Sequence, residues 1–142
     1  MGELPRFEHF PHAADMGIRG IGSTVEEAFE QAARALTAVT TDLGRVEPRE
    51  AVSIECSAPS LDDLLYDWID ALVFEMSRHR RLFSRFEVRI DGERLTGRAW
   101  GEAVDRDRHE PAVEVKGPTL TELGVRYEPS LGAWIAQCIV DV

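Results

Sequence analysis

Two stretches at opposite ends of the sequence hold residues whose types and spacing could do chemistry. The first, Glu8-His9-Phe10-Pro11-His12-Ala13-Ala14-Asp15, puts two histidines and two acids within eight residues, in a loop between extended segments. Imidazole and carboxylate side by side suit a metal or polar-ligand site. They equally suit a polar loop in which His12 and Asp15 satisfy backbone donors where a strand begins. The second stretch is the apolar run from Trp134 to Val140, which stops on Asp141 and Val142. There the Asp141 carboxylate and the terminal carboxylate of Val142 would sit close together, which is costly beside a buried strand unless a cation or donors meet them. Hard cations such as Ca²⁺, Mg²⁺ or Mn²⁺ favour clustered carboxylate and carbonyl oxygens, so this end reads as half of a metal site. A solvated charged terminus that merely blunts a strand is the other reading.

Other chemistries lack their motifs. A glycine-rich phosphate loop with its lysine is missing, and Lys116 is the sole lysine of the sequence. Neither GxSxG nor HExxH occurs. A catalytic triad assembled in space would leave no local trace, and nothing local supports one. Cys56 and Cys138 lie in separate alternating segments with no second ligand nearby, so buried free thiols are expected rather than a disulfide or a zinc site. Trp68, Trp100 and Trp134 fall on apolar faces and read as core rather than base-stacking platforms. The run from Asp105 to Pro111 mixes charges and reads as a solvated loop. The basic cluster Arg78-His79-Arg80-Arg81 suits the negative end of a helix dipole, with a partner or RNA contact as the alternative.

These residues must be positioned by a small acidic scaffold. The 142 residues carry 16 Lys plus Arg against 26 Asp plus Glu, a net charge of −10. That length fits one domain, 1–142, with a real core. A pI near 4.8 argues against a protein that grips nucleic acid by itself. No apolar run reaches the roughly 20 residues of a membrane span. The N-terminal stretch has no secretory pattern, and the Met1-Gly2 start fails the acylation motif because Arg6 stands where Ser or Thr is needed. A cytoplasmic location is therefore expected.

The coarse elements follow from periodicity. Residues 6–21 give two extended segments around the loop from Pro11 to Asp15. Ser23 with Glu26 forms a capping-box pattern, and Val25, Ala28, Phe29, Ala32, Leu36 and Val39 continue as one apolar helical stripe to about Thr41, with Gly44 as a stop. Val52, Ile54, Cys56 and Ala58 alternate as a strand. A second helix starts at Ser60, with an apolar face from Leu61 to Met76. Then come a strand through Phe86, Val88 and Ile90, a hairpin at Asp91-Gly92, and a return strand from Leu95 to Gly101. Further strands are expected at Val113–Lys116, Leu123–Tyr127 and Ala133–Val142. The order predicts an α+β fold, a single domain with two helices packed on a largely antiparallel sheet.

Together these pieces resemble the archease family from about Phe7 to the end of the sequence. His12-Ala13-Ala14-Asp15-Met16-Gly17-Ile18 is similar to its HTAD[IV]G[IV] signature. The helix from Thr24 to Phe29 leading to Thr41-Asp42, the Leu64-Leu65-Tyr66-Asp67-Trp68-Ile69 segment, Leu82-Phe83, Trp100-Gly101-Glu102, His109-Glu110-Pro111 and the ending Ile139-Val140-Asp141-Val142 match its other motifs in order. The resemblance implies an accessory protein, not an enzyme. It would activate the RNA ligase that joins 3′-phosphate or 2′,3′-cyclic phosphate ends to 5′-hydroxyls, promoting the ligase's guanylylation and multiple turnover in tRNA splicing or RNA repair. It implies a divalent metal ion (Ca, Mg or Mn) held by Asp15, Asp141 and the main-chain or terminal carboxylate of Val142, with His12 and Asp42 in support. RNA would be met only through the ligase. Ala13 departs from the family's usual Thr, so a hydroxyl contact is lost there. The competing readings are a general chaperone or protein-binding module and, lower still, a metal-dependent phosphohydrolase acting through Asp15 and Asp141.

Overall fold

The computed structural model describes residues 3–142. The Met1-Gly2 start, where no acylation was expected, lies outside them. In chain order the strands and helices are β1 (Arg6–His12), β2 (Asp15–Gly22), α1 (Val25–Thr40), β3 (Glu50–Ser57), α2 (Leu61–Arg78), β4 (Arg81–Asp91), β5 (Arg94–Ala103), the single-turn α3 (Arg106–His109), β6 (Gly117–Pro118), β7 (Gly124–Glu128) and β8 (Ala133–Asp141). Every strand pairing among the described residues is antiparallel. The strands form two sheets rather than one. The first runs β1-β2-β8-β6 with β7 also on β8, and the second runs β3-β5-β4. The α+β class expected from the sequence holds.

The central strand β8 is buried from Ala133 to Val140 except at half-buried Trp134, as a strand covered on both faces must be. Helix α1 lies against β2 and β4. Its closeness to β2 rests on Gly20, where a Cβ would fall far inside van der Waals contact of the Ala28 carbonyl and the Ala32 amide. Helix α2 buries Leu64, Leu65, Trp68, Ile69, Leu72 and Val73. The Trp68 indole donates to the Phe29 carbonyl at 3.1 Å, which ties α2 to α1 through a satisfied buried donor.

Several expectations shift. Strand β1 continues through Pro11 to His12, so the presumed loop shrinks to the two-residue turn Ala13-Ala14, with Ala13 at φ 51°. The cap of α1 is Thr24, whose hydroxyl accepts from the Glu27 amide, while Glu27 accepts from the Ser23 amide. The pattern is displaced by one residue because hydroxyls and acids are doubled there. Gly44 does not end α1. It lies in a 3-10 turn at Leu43–Arg45, and the helix stops at Thr41 in extended backbone. No strand forms at Val113–Lys116; the residues that pair with β8 are Gly117 and Pro118. The cap of α2 at Ser60 is as expected. Of the tryptophans, Trp68 is core, while Trp100 and Trp134 are half-buried, the first under Arg85 and the second edge-on to Tyr127.

Both cysteines are free, Cys138 buried in β8 and Cys56 half-buried in β3. Burial pushes the Cys138 thiol up to about 12 and the Cys56 thiol up to about 11, so neither is a nucleophile near neutral pH. No helix among the described residues is long and apolar enough to cross a membrane.

Candidate functional site

The two chemistry-bearing stretches meet at one end of the first sheet, on its interior strands β2 and β8. In the β1–β2 hairpin His12 pairs with Asp15. Strand β2 pairs with β8 through Met16 opposite Val140. Past that last pair, β2 begins on Asp15 and β8 ends on Asp141, so the two residues lie on neighbouring strands at the same end of the sheet. On the far side of β8, Asp141 pairs with Gly117, and the Lys116 amide donates to the Asp141 carbonyl at 2.7 Å.

Exposure grades across this end. Asp15 and Val142 are half-buried, while Asp141, His12 and Asp42 are exposed. Val142 packs against the main core, which fixes its main chain beside Asp141. A hard cation at this end would be met by the two carboxylates, a main-chain oxygen of Val142 and water. The donor set is all oxygen and open to solvent on the Asp141 side, so it fits Ca²⁺, Mg²⁺ or Mn²⁺ and does not fit zinc.

Neither supporting residue completes a set of side chains. Among the described residues no three His, Cys, Asp or Glu side chains come together to hold a metal. Asp42 is used locally, because its carboxylate accepts from the Gly44 amide at 3.0 Å and caps the 3-10 turn that follows α1. His12 stays exposed at the strand end.

A second polar constellation lies where a solvated loop was expected, and this corrects the reading of Asp105–Pro111. Glu102, at the end of β5, is 5% exposed and His109 1%. The Glu102 carboxylate accepts two bonds from Arg108 at 2.6 and 2.8 Å, one from the Glu47 amide at 2.8 Å and one from His109 Nε2 at 2.9 Å. His109 Nδ1 in turn accepts from the Asp105 amide at 2.8 Å. These bonds fix the neutral tautomer with its proton on Nε2. The Arg108 hydrogen bonds, helped by the Glu47 amide and His109, hold the Glu102 carboxyl well below the usual carboxylate range. The Thr41 hydroxyl donates to the His109 carbonyl, and the Ala112 amide donates to the Thr40 carbonyl at 2.8 Å.

The network thus clasps the end of α1 to the segment after β5. It has no group poised as a nucleophile, and its one imidazole is consumed in positioning. Spacing alone misses it, since a mixed-charge run looks solvated until Glu102 is known to be buried beneath it. The signal present in the sequence was the pair of short motifs Gly101-Glu102 and His109-Glu110-Pro111.

Comparison with known proteins completes the description. The model of the Archease protein family (MTH1598/TM1083) matches residues 7–142. The chain is 40% identical to "Protein archease" of Thermococcus gammatolerans over 143 residues, covering 98% of this chain and 100% of that one. It is 39% identical over 141 residues to the protein of the same name from Sulfurisphaera tokodaii, with 98% and 100% covered. Among solved structures it is similar to the solution structure of Methanobacterium thermoautotrophicum protein 1598, with TM-score 0.81, 35% identity, and 96% of this chain and 98% of that chain covered.

Proposed function

The chain belongs to the archease family, and from that premise we propose that it is a non-catalytic, metal-dependent activator of an RNA ligase that joins 3′-phosphate or 2′,3′-cyclic phosphate ends to 5′-hydroxyls. In this role it promotes guanylylation of the ligase and its repeated turnover, in tRNA splicing or RNA repair. The observation that carries the reading is that Asp15 and Asp141, 126 residues apart in sequence (141 − 15), come to the same end of the sheet on neighbouring strands.

A divalent cation bound there supplies a fixed positive charge and open coordination positions for oxygens of the ligase or its nucleotide. The protein's own residues do the rest. The pairing of β2 with β8 supports this reading by bringing Asp15 and Asp141 to the same end of the sheet, and Val142, packed against the core, would offer a main-chain oxygen there. The hairpin turn at Ala13-Ala14 keeps His12 across from Asp15 in the β1–β2 pairing. Nothing around Asp15 and Asp141 resembles a nucleophile with its base, which favours an accessory role over hydrolysis.

Adding the purified chain to such a ligase tests the proposal. We expect more than one joining event per ligase molecule and no RNA joining or phosphate release by the chain alone. Unchanged single turnover of the ligase contradicts it, and turnover by the chain alone would make it an enzyme.

A further inference from the structure

The end of α2, the start of β4 and the segment after α3 line a half-open cavity of about 380 Å³, within the size range of small-molecule sites. It shares no residue with the acidic end of the sheet. Its lining sets three arginines, Arg80, Arg81 and Arg106, against one acid, Glu114. In a chain of net charge −10 such a local excess of positive charge runs against the composition.

Two lining residues also carry buried polar atoms without hydrogen-bond partners. These are the Thr40 hydroxyl, on a residue only 7% exposed, and Nε and Nη2 of Arg81. The nearest acid to Arg81 is Glu50, whose carboxylate lies 3.9 Å from Nη2, too far for a hydrogen bond. Arg80 and Arg106 form no ion pair among the described residues. Buried donors are ordinarily satisfied, so unmet ones around a cationic cavity point to an acceptor-rich ligand.

The backbone is bent to make this site. Arg80 sits at φ 53°, a left-handed conformation that costs a non-glycine residue energy, and its carbonyl is held by the Val104 amide at 2.9 Å. That kink separates the basic cluster at the end of α2. Arg78 belongs to the last helical turn and His79 pairs with Glu75 at 2.9 Å, while Arg80 and Arg81 face the cavity. Helix-dipole complementarity therefore accounts for only part of the cluster.

We propose that this cavity binds a phosphate monoester of nucleotide size. Guanidinium forks match phosphate oxygens geometrically, and three of them offer more donors than a carboxylate can accept. The wall formed by Met76, Val113 and Val115 takes the less polar body of the molecule. A long nucleic-acid strand is a poorer occupant, because the positive charge is confined to the cavity of an acidic protein.

The test is a titration of the isotope-labelled full chain, followed by amide NMR shifts, with adenosine 5′-monophosphate as probe. Adenosine, inorganic phosphate and acetate form the comparison arms. Saturable shifts around Arg80–Leu82 and Ala112–Val115 are expected with the monophosphate and not with adenosine, and phosphate should displace it better than acetate. Arg81→Gln and Arg106→Gln should each weaken binding about tenfold or more. Arg106 is exposed, so its variant keeps the fold and the test stands even if Arg81→Gln does not fold. No saturable shift at millimolar monophosphate, equal binding of adenosine, equal displacement by acetate, or undiminished binding by Arg106→Gln would each overturn the proposal.

Discussion

Asp15 and Asp141 gain meaning only from ending neighbouring strands at one end of the sheet, whereas Glu102 gains it from what it accepts. Glu102 sits under Arg108, the Glu47 amide and His109, and its carboxyl is depressed from the ordinary value of 4.5. A carboxyl whose folded value is lowered contributes stability that is fully present above its unfolded value. That stability is lost as pH falls below about 4.5 toward the folded value. Thermal unfolding should therefore show a loss on moving from neutral pH to about pH 3, and Glu102→Gln should lose less over the same interval. At neutral pH Glu102→Ala should cost about 3 kcal/mol, because it leaves His109 Nε2 and the Glu47 amide without their acceptor. Part of the Arg108 contribution is screened by solvent, since that side chain is 42% exposed. An unfolding temperature that is flat with pH in the parent chain would refute this role for Glu102.

At the scale of elements, the helices were legible and the joints between them less so. Apolar residues at spacings of three and four marked α1 and α2, and Asp91-Gly92 marked the β4–β5 hairpin, because these signals are local. Doubled residues blurred the start of α1, where Ser23-Thr24 and Glu26-Glu27 offer two caps one position apart. The loop between β5 and β6 was misread because its order comes from a buried acid on another element. Half of the acidic end could be read as well, since an apolar strand ending on Asp141 is unusual by itself. Its coming to the same end as Asp15 depends on pairing between strands far apart in sequence, which no spacing reveals; the family resemblance supplied it.

Gly20 and Ala13 make the element scale testable. Gly20→Ala should lower stability by roughly 3 kcal/mol, as α1 must lift from β2 to admit the methyl group. In contrast, Ala13→Gly should raise stability by about 1 kcal/mol, because the turn already holds φ 51° there. Denaturant midpoints measure both, and a neutral Gly20→Ala would show that the helix does not rest on that glycine.

Over the whole molecule, charge is arranged rather than merely in excess. The net −10 includes two carboxylates at one end of the neighbouring strands β2 and β8, while three arginines gather in a cavity built from other elements. The proposed role in an RNA pathway is consistent with this, because in that role the ligase and not this chain holds the RNA. The most direct test is the rate of ligase guanylylation with the parent chain and with Asp141→Ala, each with and without divalent cation. The account predicts that the parent chain stimulates only when the cation is present and that Asp141→Ala stimulates in neither condition. Equal stimulation by Asp141→Ala and the parent chain would contradict it.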